Sequence, residues 1–161
     1  MNLRDANVAD IPFVMACERR PGYREFVGRW EEPRHREAMA DKAYRYFVAQ
    51  DDAGARGYFM IYQSELWPTS LYLKRAAMYD TDKGHGRASL TALNDWVFAN
   101  TETHRFWLDV AINNARARHL YESLGFVIEG TLREVYVEPD GTRSSSIQMS
   151  LLRPDWQDRR K

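Results

Sequence analysis

Six consecutive residues, Lys83-Gly84-His85-Gly86-Arg87-Ala88, place two glycines and two cations directly ahead of a stretch with helical periodicity. Leu90, Leu93 and Val97 recur at i, i+3 and i+7, which predicts a helix over Ala88 to Asn100, and the apolar run Leu71 to Met78 before the loop reads as a strand. A strand, a glycine turn and a helix together expose backbone N–H groups and a positive helix end to one anion. Gly84 and Gly86 let the backbone approach a diphosphate closely, while Lys83 and Arg87 add charge. Taken alone, the loop fits a purely structural turn as well as it fits a phosphate site.

The second segment with chemical content is Asn114-Ala115-Arg116-Ala117-Arg118-His119-Leu120-Tyr121-Glu122-Ser123-Leu124-Gly125-Phe126. Ala117, Leu120, Tyr121 and Leu124 share one face of a helix from Ala115 to Leu124, and Gly125 stops it. Together the two segments resemble the GNAT superfamily of N-acetyltransferases. In that family a Gln/Arg-x-x-Gly-x-Gly/Ala loop follows the fourth strand, and Lys83, Gly86 and Ala88 occupy its defined positions, with Lys in place of the usual Gln or Arg. The pattern Asn-x-x-Ala-x-x-Leu-Tyr-Glu-x-x-Gly-Phe is matched from Asn114 to Phe126, and Leu73 to Met78 looks like the fourth strand.

The resemblance implies acetyl-coenzyme A as co-substrate. Main-chain groups of Ala76 and Met78 would pair with the pantetheine arm. Amides of Gly84, His85, Gly86, Arg87 and Ala88, with Lys83, would hold the pyrophosphate, and Asn114 would both cap its helix and touch the coenzyme. Tyr121 would protonate the departing thiolate, whereas an arbitrary helical tyrosine on this face would be a core residue. The amine also needs a base, or water acting as one. The resembling fourth strand carries no carboxylate, so Glu25, Glu65, Asp80 and Glu134 are the candidates by position, although a solvated or paired surface charge is the favoured reading of each. His35, His104 and His119 have no metal-ligand spacing, and no metal is expected. Leu73-Lys74-Arg75 and Glu129 to Glu134 look like the branch similar to ribosomal-protein N-terminal acetyltransferases; members of that branch act on other amines as well, so the resemblance implies a primary amine, of a protein N-terminus or a small molecule, without fixing which.

Around these segments, Asn2 to Arg4 reads as a strand, and Ile11, Val14, Met15 and Glu18 as a helix started by Asp10 and ended by Pro21-Gly22. Glu31 to Lys42, with Pro33 near its start, reads as a mostly solvated helix. Tyr44 to Gln50 and Tyr58 to Gln63 form a hairpin across Asp51 to Gly54, and Phe106 to Ala111 is a further strand. Leu132 to Glu138 and Ser145 to Leu152 make a last hairpin around Pro139-Asp140-Gly141, followed by a short charged end from Asp155 to Lys161. Trp30, Trp67, Tyr72 and Tyr136 would border the acceptor channel in the resembling layout, though ordinary core packing is the favoured reading of each.

The expected architecture is a single α+β domain over residues 1–161, three layers deep, with a mixed and mostly antiparallel sheet flanked by helices. The family resemblance adds a splay between the fourth and fifth strands. With 23 basic and 23 acidic residues, no global field draws nucleic acid or an anionic membrane. The lone Cys17 lies in an apolar-periodic stretch, and no apolar run is long enough to span a bilayer, so a cytoplasmic protein with a buried structural thiol is expected. Exposed strands could pair two copies into a homodimer. The competing function is an acyl-CoA-binding sensor or interaction module that holds the coenzyme without transferring the acetyl group.

Overall fold

The computed structural model describes residues 1–80 and 84–161. Along the chain run β1 (Asn2–Asp5), α1 (Ile11–Glu18), α2 (Glu32–Ala40), β2 (Tyr44–Asp51), β3 (Gly54–Gln63), β4 (Ser70–Met78) and α3 (His85–Asn100). They are followed by β5 (Arg105–Ala111), α4 (Ala115–Ser123), β6 (Val127–Val137), β7 (Arg143–Leu152) and α5 (Arg153–Asp158). The strands form one sheet in the order β1-β2-β3-β4-β5-β7-β6, antiparallel everywhere except between β4 and β5.

Strand alternation assigns the two faces. In β5, Phe106, Leu108 and Val110 are buried, while Trp107 and Asp109 are half-buried on the opposite side, as a period of two requires. The first face joins Phe47, Phe59, Leu71, Leu73 and Met149 to Leu93 and Val97 of α3, with Leu120 and Leu124 of α4 packed against them. The second joins Tyr46, Tyr58 and Met60 to Val14 and Cys17 of α1 and Ala38 of α2. Cys17 is fully buried, and burial pushes its thiol up to about 12, as for an inert structural cysteine.

One irregularity positions the site. Met60 pairs with Arg75 and Ile61 with Leu73, so Lys74 is an extra residue in β4. Such a bulge bends its strand and adds twist. β4 and β5 pair only at Ser70–Arg105, Leu71–Phe106 and Tyr72–Trp107 and then part. The bulge also resets the alternation: Tyr72, opposite Tyr62, and Arg75, opposite Met60, both lie on the α1–α2 face, with Lys74 between them.

Several boundaries differ from the sequence reading. α3 begins at His85 because the glycine loop itself forms the first helical turn, starting from Gly84 in the left-handed region at φ 75°. α1 ends at Glu18, ahead of Pro21-Gly22. α2 is not fully solvated, because His35 and Ala38 are buried. The charged end folds as α5: Trp156 stacks on Phe98 at 5.3 Å and donates to Asp95, and Arg153 donates to the carbonyls of Phe98, Thr101 and Thr103. Tertiary contacts, more than local propensity, order that last turn.

Candidate functional site

Where β4 and β5 part, a cleft of about 730 Å³ opens through the sheet. β4 contributes Leu73 to Ala76 and Met78, β5 contributes Leu108 to Val110, and Leu90, Leu120 and Tyr121 of the helices close the far wall. Ala76 and Met78 pair with Phe59 and Gly57 of β3, and beyond Tyr72 the other edge of β4 meets no strand among the described residues. An open strand edge offers alternate N–H and C=O groups to an extended ligand.

Gly84 to Arg87 lie at one end of the cleft. The Ala88 N–H donates to the Gly84 carbonyl at 3.2 Å, so it is committed to the helix, whereas the amides of His85, Gly86 and Arg87 are the orphan donors of the first turn. A Cβ on Gly86 would meet Leu120 Cδ2 at 3.6 Å and Met78 Cγ at 3.8 Å, so this backbone lies against the cleft wall. The His85 imidazole is engaged elsewhere: Nδ1 is 2.9 Å from Asp80 Oδ1 and Nε2 is 3.8 Å from Asp51 Oδ2. Asp51 also accepts from Arg56 Nε at 2.8 Å, and that bond holds its carboxyl below the usual range. Across the cleft, Asn114 caps α4, its Oδ1 accepting from the Ala117 N–H at 3.1 Å, which leaves its amide nitrogen to donate. Lys83 lies outside the described residues.

At the middle of the cleft stands Tyr121, its ring edge-on to Phe126 at 5.6 Å. Its hydroxyl makes no hydrogen bond among the described residues. Burial, reinforced by the Asp109 charge and by Tyr23, pushes this phenol well above the ordinary tyrosine value, so it is a proton donor at neutral pH. Asp109 reaches the cleft from β5 and accepts from Tyr72 on Oδ1 and from Tyr136 on Oδ2, each at 2.5 Å. Tyr72 is fixed in turn by stacking on Trp107 at 4.2 Å. Burial, with the neighbouring Asp109 charge, raises both phenols and keeps them donating.

Beside this end lies a buried ionic network. Glu18 accepts from the Tyr58 hydroxyl at 2.6 Å, Arg75 Nη1 at 2.5 Å and the Trp30 N–H at 3.1 Å, and its Oε2 lies 3.3 Å from His35 Nε2. His35 Nδ1 is 3.1 Å from the Tyr46 hydroxyl. Burial alone would raise the Glu18 carboxyl, but His35, the Arg75 charge and Tyr58 outweigh it and hold the group below the usual carboxylate range.

A model of the acetyltransferase (GNAT) family matches residues 15–126. The chain belongs to the GNAT acetyltransferase family. A spermidine N(1)-acetyltransferase of Vibrio cholerae serotype O1 is 41% identical over 54 residues, which is 34% of this chain and 31% of that enzyme. The solved spermidine N-acetyltransferase of Vibrio cholerae in complex with CoA and spermine superposes with a TM-score of 0.84 at 23% identity, covering 97% of each chain. A chimera of that enzyme, SpeG, with hSSAT gives a TM-score of 0.85 at 25% identity over 98% of each chain.

In this GNAT protein, Ala76, Met78, Gly84, His85, Gly86, Arg87, Asn114 and Tyr121 all line one cleft, drawn from β4, α3 and α4. Of the carboxylates suggested by sequence position, Glu25, Glu65 and Glu134 are exposed and do not line it. Asp80 does, but at the glycine-loop end, bonded to His85. The sequence reading missed Asp109. Its signal was present, a single acid inside the apolar strand Phe106-Trp107-Leu108-Asp109-Val110, where an unpaired charge would be costly. Trp67 is 65% exposed, which removes the core reading for that residue. No group of three or more His, Cys, Asp or Glu among the described residues is placed to hold a metal, and no described helix is long and apolar enough to cross a membrane.

Proposed function

We propose that this chain transfers the acetyl group of acetyl-CoA to a primary amine by direct attack within a ternary complex. The observation that carries the reading is the splayed cleft, in which an open β4 edge and the orphan amides of α3 meet a proton-donating Tyr121. The β4 edge at Ala76 and Met78 would bind the pantetheine arm. The amides of His85, Gly86 and Arg87, with Gly84 shaping the turn, would hold the pyrophosphate, and Asn114 would donate its amide N–H. The Ala88 amide takes no direct part in this scheme.

In the transfer, the amine nitrogen attacks the thioester carbonyl and the C–S bond breaks. The departing thiolate takes the Tyr121 proton, and the proton lost by nitrogen passes to Asp109 directly or through water. Tyr72 and Tyr136 position that carboxylate and stabilise its charge. Asp109 supplies from β5 the carboxylate that β4 lacks, which weakens the case for a module that binds the coenzyme without turning it over.

The relatives named above favour a polyamine acceptor over the peptide N-terminus suggested by the likeness of Leu73-Lys74-Arg75 to the ribosomal-protein branch. Release of free thiol from acetyl-CoA across a panel of small primary amines, including spermidine and spermine, tests the reaction. Tight acetyl-CoA binding with no thiol above background for any amine would leave only the sensor reading.

A further inference from the structure

The bulge at Lys74 puts two consecutive basic side chains against the Trp30 ring, and both line the cleft. Arg75 directs Nη1 to Glu18 and lies 4.2 Å over the Trp30 ring. Its Nη2 comes so close to Gly28 that a Cβ there would stand 2.9 Å away. The guanidinium is thus clamped in place, yet it still lines the cleft, and its counter-charge Glu18 is fully buried behind it. Lys74 touches rings instead of carboxylates, its Nζ lying 5.8 Å from the Trp30 centroid and 5.7 Å from that of Tyr72. Desolvation and the neighbouring Arg75 charge outweigh the attraction of Asp109 and lower its ammonium below the ordinary lysine value. On the opposite wall stands Asp109.

The acceptor half is therefore dipolar, with cations on β4 and a carboxylate on β5. A polycation entering it would meet the Lys74 ammonium, an Arg75 whose charge is already paired with Glu18, and one carboxylate already holding two phenols, which is poor compensation for its desolvation. We infer that the acceptor is an amine bearing its own anionic group, an amino acid or a similar carboxylate-containing amine, whose anion is read by Lys74 and Arg75 while its nitrogen lies beside Asp109. This rests on the acetyl-transfer reading and departs from the polyamine acceptor that the relatives favour.

The test compares kcat/KM for free amino acids, for their C-terminal amides and for spermidine, in the wild type and in Lys74→Met. The amide removes the carboxylate and also makes the α-amine less basic, so kcat/KM is compared per neutral amine. We expect the free acids to lead their amides by about tenfold or more in the wild type, and Lys74→Met to erase most of that lead while leaving the amides within about twofold. Lys74 is the variant of choice because Arg75→Met would strand the buried Glu18. Amides or spermidine equal to or better than the acids in the wild type, or an acid preference unmoved by Lys74→Met, would overturn the inference while leaving acetyl transfer intact. No thiol release from any of these amines would remove the transfer reading and the inference with it.

Discussion

Glu18→Gln is the most demanding perturbation of the platform under the acceptor end. Glutamine keeps the volume and one carbonyl oxygen for Tyr58 or the Trp30 N–H, but it leaves Arg75, whose side chain is 8% exposed, with no counter-charge. Breaking a buried ion pair from one side costs about 3–5 kcal/mol. For a chain of this length each kcal/mol moves Tm by about 2–4 °C, so a fall of roughly 6–20 °C is expected. Urea denaturation should show a lower midpoint with an unchanged slope, since the surface exposed on unfolding is the same. The decisive control is Glu18→Gln with Arg75→Met: removing both charges leaves no stranded ion, and the double variant should be more stable than Glu18→Gln alone. A single variant within about 1 kcal/mol of wild type, or a double variant worse than the sum of its parts, would refute the claim that this pair is energetically coupled.

The same network sets a pH dependence. Because Glu18 is held below its unfolded value, its contribution is full above the unfolded pKa of about 4.3 and is lost as pH falls through the folded value. Urea midpoints measured from pH 6 to pH 3.5 should fall more steeply for wild type than for Glu18→Gln. Asp109→Asn should lower kcat/KM by about 10²-fold or more, and an unchanged kcat/KM would remove Asp109 as the proton acceptor. Gly84→Val forces a branched side chain into the left-handed region at φ 75° and should weaken CoA binding by calorimetry, whereas Gly86→Ala, whose new methyl meets only ordinary contacts, should bind nearly as wild type.

The glycine-loop turn and the cap of α4 were legible in the sequence because they depend on local signals. Gly84 and Gly86 before a periodic helix, and Asn114 ahead of Ala117, announce a turn and a cap whatever the rest of the chain does. The acceptor half was not, because it is made by strand register. That Lys74 is a bulge, that Arg75 thereby shares a face with Tyr72, and that Asp109 meets tyrosines 37 and 27 residues away depend on pairings between distant segments. Glu18 illustrates the same limit: it sits at a helical core position, yet its partners come from α2, β3, β4 and the loop before α2. α5 was missed because it is held by Phe98 and Asp95 of α3 more than by its own six residues.

The proposed role of Tyr121 is to act on the transfer step in a cleft that binds the coenzyme independently of its hydroxyl. It is tested most directly by measuring, on Tyr121→Phe, both the single-turnover rate of acetyl transfer and the Kd for acetyl-CoA. The prediction is a rate lower by about 10²-fold or more with Kd within about twofold of wild type. An unchanged rate, or a loss of rate matched by an equal loss of affinity, would contradict it.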